Sequence, residues 1–264
     1  MLDEETRSLI IRAYGTVSRG AVSDGHFYNE REQYLIGSYL DKNGLARRYV
    51  FYGGYEGAER KMLFALPDYC PDIGEDYEEL VLPLLEETFA SMIASLRITG
   101  SGYRELSHRD YLGSLLGLGL ERFVIGDILV RSECSSAVFF CSRKISGFII
   151  EQLETVGADR VSVSTVNDIS GFEPDNRFVR VLGTVASNRA DSVVSSLTGM
   201  SRDEAKKAVS NGYVEINYEK VIKAETDVEA GDIVTVRGKG KYIIREISDT
   251  TRKGRIRMVA DRYA

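Results

Sequence analysis

The side chains of this sequence best placed for chemistry are cations near its C-terminal end. Arg202 and Lys206 stand four residues apart with Lys207 beside the second, so a helix sets the first two one turn apart on its solvent side. Arg189 stands at the start of a run in which Ala190, Val193, Val194 and Leu197 repeat at i, i+3, i+4 and i+7, the signature of a short amphipathic helix. Protruding Arg and Lys on two short packed helices suit phosphate oxygens. A guanidinium offers a planar fork of donors, an ammonium a compact charge, and both displace counterions from a polyanion. Arg237, Lys239 and Lys241 follow further along and extend the set. Taken one at a time, each is an ordinary solvated residue paired with a neighbour such as Asp203 or Glu204. Only their clustering points to a polyanion.

Catalytic chemistry has less to work with. His26 and His108 are the two histidines, too few for a multi-histidine metal site. His108-Arg109-Asp110 looks like the start of a kinase catalytic loop, but Leu115 stands where the second metal's asparagine would be. His108 and Asp110 read better as the first turn of a helix, with the carboxylate near the positive end of its dipole. The loop Gly53 to Glu59 lacks the Gly-Lys-Ser/Thr end of a phosphate cradle, and Glu56 and Glu59 would repel phosphate. Gly117 and Gly119 make no dinucleotide fingerprint. Cys70, Cys134 and Cys141 have neither CxxC spacing nor an even count, so they read as core thiols. No enzyme, cofactor or metal is expected.

The chain of 264 residues carries a net charge of -6 with 43% hydrophobic residues, enough for two or three domains with cores of their own. The charge is unevenly spread. Arg180 to Ala264 holds 16 basic and 12 acidic residues, whereas residues 1 to 179 hold 18 and 28. The C-terminal part is therefore the one suited to a polyanion. No apolar run approaches the ~18 residues a membrane helix needs. The acidic start, Asp3-Glu4-Glu5, is unlike a signal peptide. A cytoplasmic protein without membrane partners is expected.

The elements that must position these residues follow from periodicity and caps. Leu9, Ile10, Ala13, Tyr14 and Val17 repeat at helical spacing, as do Tyr34, Leu35, Ser38 and Tyr39 after the cap Asn29. Arg48 to Tyr52 and Lys61 to Leu66 read as a hairpin around the glycine-rich loop. From Met92 onward the order is a strand to Thr99, a helix from His108 capped by Ser107, strands Asp127 to Arg131 and Ala137 to Cys141, a helix capped by Ser142, and a strand Arg160 to Val166. That is the β-α-β-β-α-β order of a ferredoxin-like sandwich, shared by RNA-recognition motifs, although their aromatic-glycine consensus is missing from the third strand. Asn167 to Asn176 reads as a linker.

In the last part, Ser187 or Asn188 is expected to cap the first helix and Gly199 to end it. Ser201 and Glu204 form a capping box for the second, and Asn211-Gly212 stops it. Strands Tyr213 to Asn217 and Ile233 to Arg237 follow.

These blocks carry a resemblance. Arg189-Ala190-Asp191, Ser201-Arg202 with Ala205-Lys206, Asn211 to Asn217, and Val228, Gly231-Asp232 and Val236 together resemble the alpha-L RNA-binding domain, named for the fourth small-subunit ribosomal protein. Ala190 replaces the usual leucine, and Tyr218 replaces the usual glycine. The resemblance implies that Arg189, Arg202 and Lys206 face structured RNA. Upstream, Gly53-Gly54-Tyr55, Ala58 to Lys61, His108-Arg109-Asp110, Leu112-Gly113, Leu116, Gly119, Arg122 and Gly126 to Ile128 resemble the three-domain bacterial YlmH-type family. That implies a factor of ribosome-associated quality control on the large ribosomal subunit, stabilising peptidyl-tRNA in the P site, with an older association with cell division.

The expectation is thus an α+β, multidomain chain: an N-terminal α/β-hairpin domain over 1–85, a ferredoxin-like domain over 86–168 and an alpha-L domain over 180–264. Its RNA-binding set is Arg189, Ser201, Arg202, Lys206, Lys207, Asn217, Arg237, Lys239 and Lys241. Its partners are rRNA, tRNA, the large ribosomal subunit and other quality-control factors. The alternatives are an RNA-modifying enzyme or its accessory, since alpha-L domains also accompany pseudouridine synthases and tyrosyl-tRNA synthetases, and an adaptor for division proteins.

Overall fold

Local caps set the first elements. Asp3 accepts the backbone N–H of Thr6 and opens α1 (Glu4–Ser18), and the reciprocal bonds of Asn29 and Glu32 open α2 (Glu30–Lys42). Between them runs β1 (Ser23–Tyr28), which periodicity alone did not disclose. The hairpin of β2 (Tyr49–Tyr52) and β3 (Lys61–Ala65) forms as expected, and β3 lies between β1 and β2 in an antiparallel sheet. In α2 the buried residues are Ile36 and Leu40, so the apolar stripe is shifted by one position from the tyrosines that suggested it.

The computed structural model describes residues 3–67, 83, 85–169, 171–172, 178–250 and 256–263. Cys70, the side chain of Cys134 and much of the expected linker at 167–176 lie outside them. By contacts the chain divides into two compact units, Met1–Asp175 and Asn176–Ala264.

The rest of the first unit starts with α3 (Glu86–Met92), which absorbs Met92, so β4 (Ile93–Thr99) begins one residue later than expected. α4 (His108–Gly117) is capped by the Ser107–Asp110 box. β5 (Ile125–Arg131), β6 (Ser136–Ser142) and α5 (Arg143–Gln152) follow. Ser142 occupies the N-cap of α5, but its side chain makes no capping bond. The expected last strand is broken: β7 (Thr155–Val156) and β8 (Asp159–Arg160) pair as a small ribbon, and only β9 (Ser162–Thr165) joins the sheet. Arg160 pairs with Thr155 in that ribbon, and the Asp159 carboxylate accepts the N–H and hydroxyl of Ser101. The sheet order β5-β6-β4-β9, antiparallel throughout, is the ferredoxin-like topology.

The two sheets of this unit share a core. Phe27, Val50, Met62 and Phe64 pack with Phe89, Ile93, Leu129, Val138 and Phe140. One carboxylate ties them further. Buried Asp127 accepts the Tyr55 hydroxyl at 2.8 Å and the backbone N–H groups of Glu59 and Arg60 at 2.7 and 3.1 Å. The glycine-rich loop is therefore bound to a carboxylate through its backbone. The Arg60 guanidinium reaches the carbonyls of Phe27 and Ile125, and Arg122 reaches those of Ile125 and Gly126. Burial lowers the pKa of both, and Arg122 falls to about 10, helped by the nearby charge of Arg60.

The second unit is one six-stranded antiparallel sheet with two helices on one face. β10 (Phe178–Val185), α6 (Ala190–Thr198), α7 (Arg202–Ser210), β11 (Val214–Ile216), β12 (Glu219–Val221), β13 (Ile233–Val236), β14 (Gly240–Thr250) and β15 (Ile256–Tyr263) run in chain order. The sheet order is β10-β15-β14-β13-β11-β12. Val193, Val194, Leu197, Ala205 and Val209 of the helices pack on Val234, Val236, Tyr242, Ile244, Met258 and Ala260 of the sheet. Glycine ends α6 as expected, with Gly199 at φ 71°.

The β11–β12 hairpin turns on Asn217 and Tyr218, both at positive φ, 49° and 66°. Such a two-residue turn favours Asn-Gly. A tyrosine in the second position carries a left-handed backbone that costs about 1–2 kcal/mol.

Candidate nucleic-acid interface

α6 starts differently from the expectation. Neither Ser187 nor Asn188 caps it: Arg189 occupies the N-cap with extended backbone and no side-chain capping bond. Backbone takes over the role, because the Ala190 and Asp191 N–H groups donate to the carbonyls of Thr226 and Ala224 at 2.7 and 3.3 Å. With its backbone fixed there, the Arg189 side chain is free to leave the helix.

It meets Asp191. Arg189 Nε lies 3.2 Å from Asp191 Oδ1 and its Nη2 is 3.3 Å from both Asp191 Oδ2 and Glu225 Oε1. From the first turn of α7, Arg202 Nε approaches the same carboxylate, 3.6 Å from Oδ2. The Asp191 side chain is 6% exposed, whereas Arg189 and Arg202 remain 36% and 50% exposed. A buried carboxylate thus fixes two guanidiniums whose outer edges face solvent. Burial raises the Asp191 pKa, but the hydrogen bond and charge of Arg189, with the charge of Arg202, outweigh it and leave the group below the usual carboxylate range. The pairing partners are Asp191 and Glu225, not Asp203 or Glu204.

The remaining expected residues divide in four. Lys206 and Lys207 are exposed on α7, and Lys207 and Lys239 lie near Glu204, whose carboxyl is held low by Ser201 with help from both charges. Arg237 lies over the Tyr213 ring, 5.6 Å from its centroid. Ser201 and Asn217 are occupied within the fold: Ser201 completes its capping box, while Asn217 donates to Asp232 and accepts the N–H of Ile233.

Lys241 belongs elsewhere. Its neighbour Tyr242 is buried against the helices, so alternation along β14 turns Lys241 to the opposite face of the sheet. There it sits 4.6 Å from the Tyr263 ring and 5.3 Å from that of Tyr218. The structure thus brings Arg189 and Arg202 together, lines Lys206 along the same helix, and separates Lys241 from them.

Sequence reasoning gave Asp191 and Glu225 no part. Asp191 stood inside the Arg-x-Asp block, where an acid two residues from an arginine was the available signal; Glu225 carried none. Among the glycines from Ser107 to Asp127, an added Cβ would meet nothing within 4 Å at Gly113, Gly117 and Gly119, whereas at Gly126 it would run into the Phe27 ring. Among the described residues no cluster of His, Cys, Asp or Glu is arranged to hold a metal ion, and no helix is long and apolar enough to cross a membrane.

Comparison with known proteins gives three results. Residues 86–169, the ferredoxin-like part, match the family described as "Putative RNA-binding domain in YlmH". The solved structure of the cell division protein ylmH from Streptococcus pneumoniae is similar at 18% identity and a TM-score of 0.46, over 65% of this chain and 96% of that one. The ribosome-associated protein quality control protein P2 of Bacillus subtilis (strain 168) is 30% identical over 239 residues, 89% of this chain and 85% of that protein. With that identity over most of both chains, the chain belongs to the YlmH family, together with protein P2 of Bacillus subtilis.

Proposed function

We propose that this protein is a non-enzymatic RNA-binding factor that acts on the large ribosomal subunit in ribosome-associated quality control, gripping rRNA and peptidyl-tRNA. The observation that carries the reading is the pair of guanidiniums, Arg189 and Arg202, set by one carboxylate at the junction of two short helices. Their spare donors, with Lys206 and Lys207 further along α7, suit phosphates of a folded RNA recognised by shape. A relative named for ribosome-associated quality control supports the setting, and the family description of residues 86–169 supports a further RNA contact there. In this reading the chain works in three parts, 1–85, 86–168 and 180–264. Binding needs no bond-making step.

The test is the salt dependence of binding to a structured RNA such as tRNA. Arg202→Ala should weaken binding and reduce the slope of log affinity against log salt by about 1. Unchanged affinity and slope would remove Arg202 from the interface.

A further inference from the structure

The face of the C-terminal sheet that points away from α6 and α7 carries aromatic rings and cations in alternation. Phe178 and Tyr263 stand opposite each other on β10 and β15, their ring centroids 4.9 Å apart. Lys241 lies over Tyr263 and also beside Tyr218. At the other end, Arg245 sits in a bulge of β14, where its guanidinium lies 5.7 Å from the Phe178 centroid and donates to Asp261 at 2.8 Å. Arg180 reaches the other oxygen of Asp261. The run Tyr218, Lys241, Tyr263, Phe178, Arg245 is therefore one continuous strip. It holds three rings, with Arg180, Lys241 and Arg245 set against Asp261. Glu215 and Glu246 lie further along the face, offset by Lys220 and Arg257.

Tyr218 adds an independent observation. Its backbone is in the left-handed region, at a turn position where glycine is the favoured residue, yet a tyrosine ring is placed there beside Lys241. The ring's hydroxyl lies 3.5 Å from Lys241 Nζ. The ring lengthens the strip by one aromatic surface.

We propose that this sheet face is a second RNA-binding surface, which takes an unpaired RNA strand. Bases stack on Tyr218, Tyr263 and Phe178 while Lys241, Arg245 and Arg180 meet the phosphates. Rings interleaved with cations on a rigid sheet suit single strands, because every base has a stacking face and a duplex keeps its faces hidden. The positive excess of the strip suits a polyanion. The helix face, by contrast, presents guanidiniums and ammoniums for the backbone of folded RNA. The proposal rests on the RNA-binding reading only in the choice of polymer, and the two surfaces fail separately.

The experiment measures binding of the full chain to two probes, a fluorescein-labelled oligouridylate and a fully paired RNA hairpin. The informative variant is Tyr218→Gly, because glycine suits the turn and the variant keeps its fold; a thermal melt at or above that of the wild type verifies this. Tyr218→Gly and Tyr263→Ala should each weaken oligouridylate binding roughly tenfold and leave hairpin binding unchanged. Arg202→Ala should do the reverse. Oligouridylate binding equal to wild type in Tyr218→Gly overturns the proposal. So does a wild-type chain that leaves the oligouridylate free, which would turn this face toward a protein partner. Hairpin binding unchanged in Arg202→Ala would count against the helix-face reading and leave this one standing.

Discussion

Arg189 and Arg202 reach the same carboxylate. One comes from the N-cap of α6 and the other from the first turn of α7, and they lie 3.2 and 3.6 Å from the two oxygens of Asp191. Long side chains on a surface ordinarily lose rotamer freedom when they bind a partner. Here part of that ordering is done in the free protein, by an acid the fold has buried. Asp191→Asn should therefore weaken structured-RNA binding roughly three- to tenfold, read by fluorescence anisotropy with tRNA. Tighter binding would show that the carboxylate competes with phosphate for the arginines.

Acid should loosen the C-terminal unit through two such carboxylates. Asp191 lies below its ordinary value because Arg189 and Arg202 outweigh its burial. The hydrogen bond from Arg245, with that of Arg180, does the same for Asp261. In the unfolded chain both return to a value near 3.8. A group depressed in the folded state stabilises fully above its unfolded value, and that contribution is lost as pH falls through the folded one. Thermal melts from about pH 5 to about pH 3 should show a steeper decline for wild type than for Asp191→Asn with Asp261→Asn. Parallel declines would deny the carboxylates this role.

Asp127 should matter to the first unit as Asp191 does to the second, but through stability. Its carboxylate accepts three hydrogen bonds from the segment Tyr55 to Arg60 and is 5% exposed. Asp127→Ala leaves those donors without an acceptor and should cost about 3 kcal/mol or more, seen as a lower urea midpoint. A midpoint within experimental error of wild type would mean that the loop is held by its apolar contacts alone.

Two glycines should respond in opposite directions to the same methyl group. Gly54 is at φ 103°, and its Cβ would run into the Phe140 ring, so Gly54→Ala should destabilise by about 2 kcal/mol or more. Gly113 is inside α4 with nothing within 4 Å, so Gly113→Ala should stabilise by about 0.5–1 kcal/mol. Thermal melts of the two variants check both signs, and destabilisation by Gly113→Ala would indicate a contact that the glycine serves.

What the sequence disclosed was mostly local. Asn29–Glu32, Ser107–Asp110 and Ser201–Glu204 each complete a cap within four residues, so the helices they open could be read directly. The ferredoxin-like order was legible because its strands are short apolar or alternating runs set apart by the two helices. β10 and β15 were not read, since they pair Phe178 with Tyr263 across most of the C-terminal unit, and a bulge breaks the alternation of β14 at Arg245. The site divided in the same way. Helical spacing placed Arg202 and Lys206 on one face, but nothing local announced that Asp191 would be buried between two arginines. Nor did spacing show that β14 would turn Lys241 to the far side of the sheet.

The most direct test of the central claim is sucrose-gradient sedimentation of cell lysate, with the RNA identified in each fraction that holds this protein, for wild type and Arg202→Ala. The account predicts that the wild type travels with free large subunits carrying tRNA and that Arg202→Ala shifts to the top of the gradient. A wild-type protein absent from every ribosomal fraction, or an Arg202→Ala variant that sediments with large subunits as the wild type does, would contradict it.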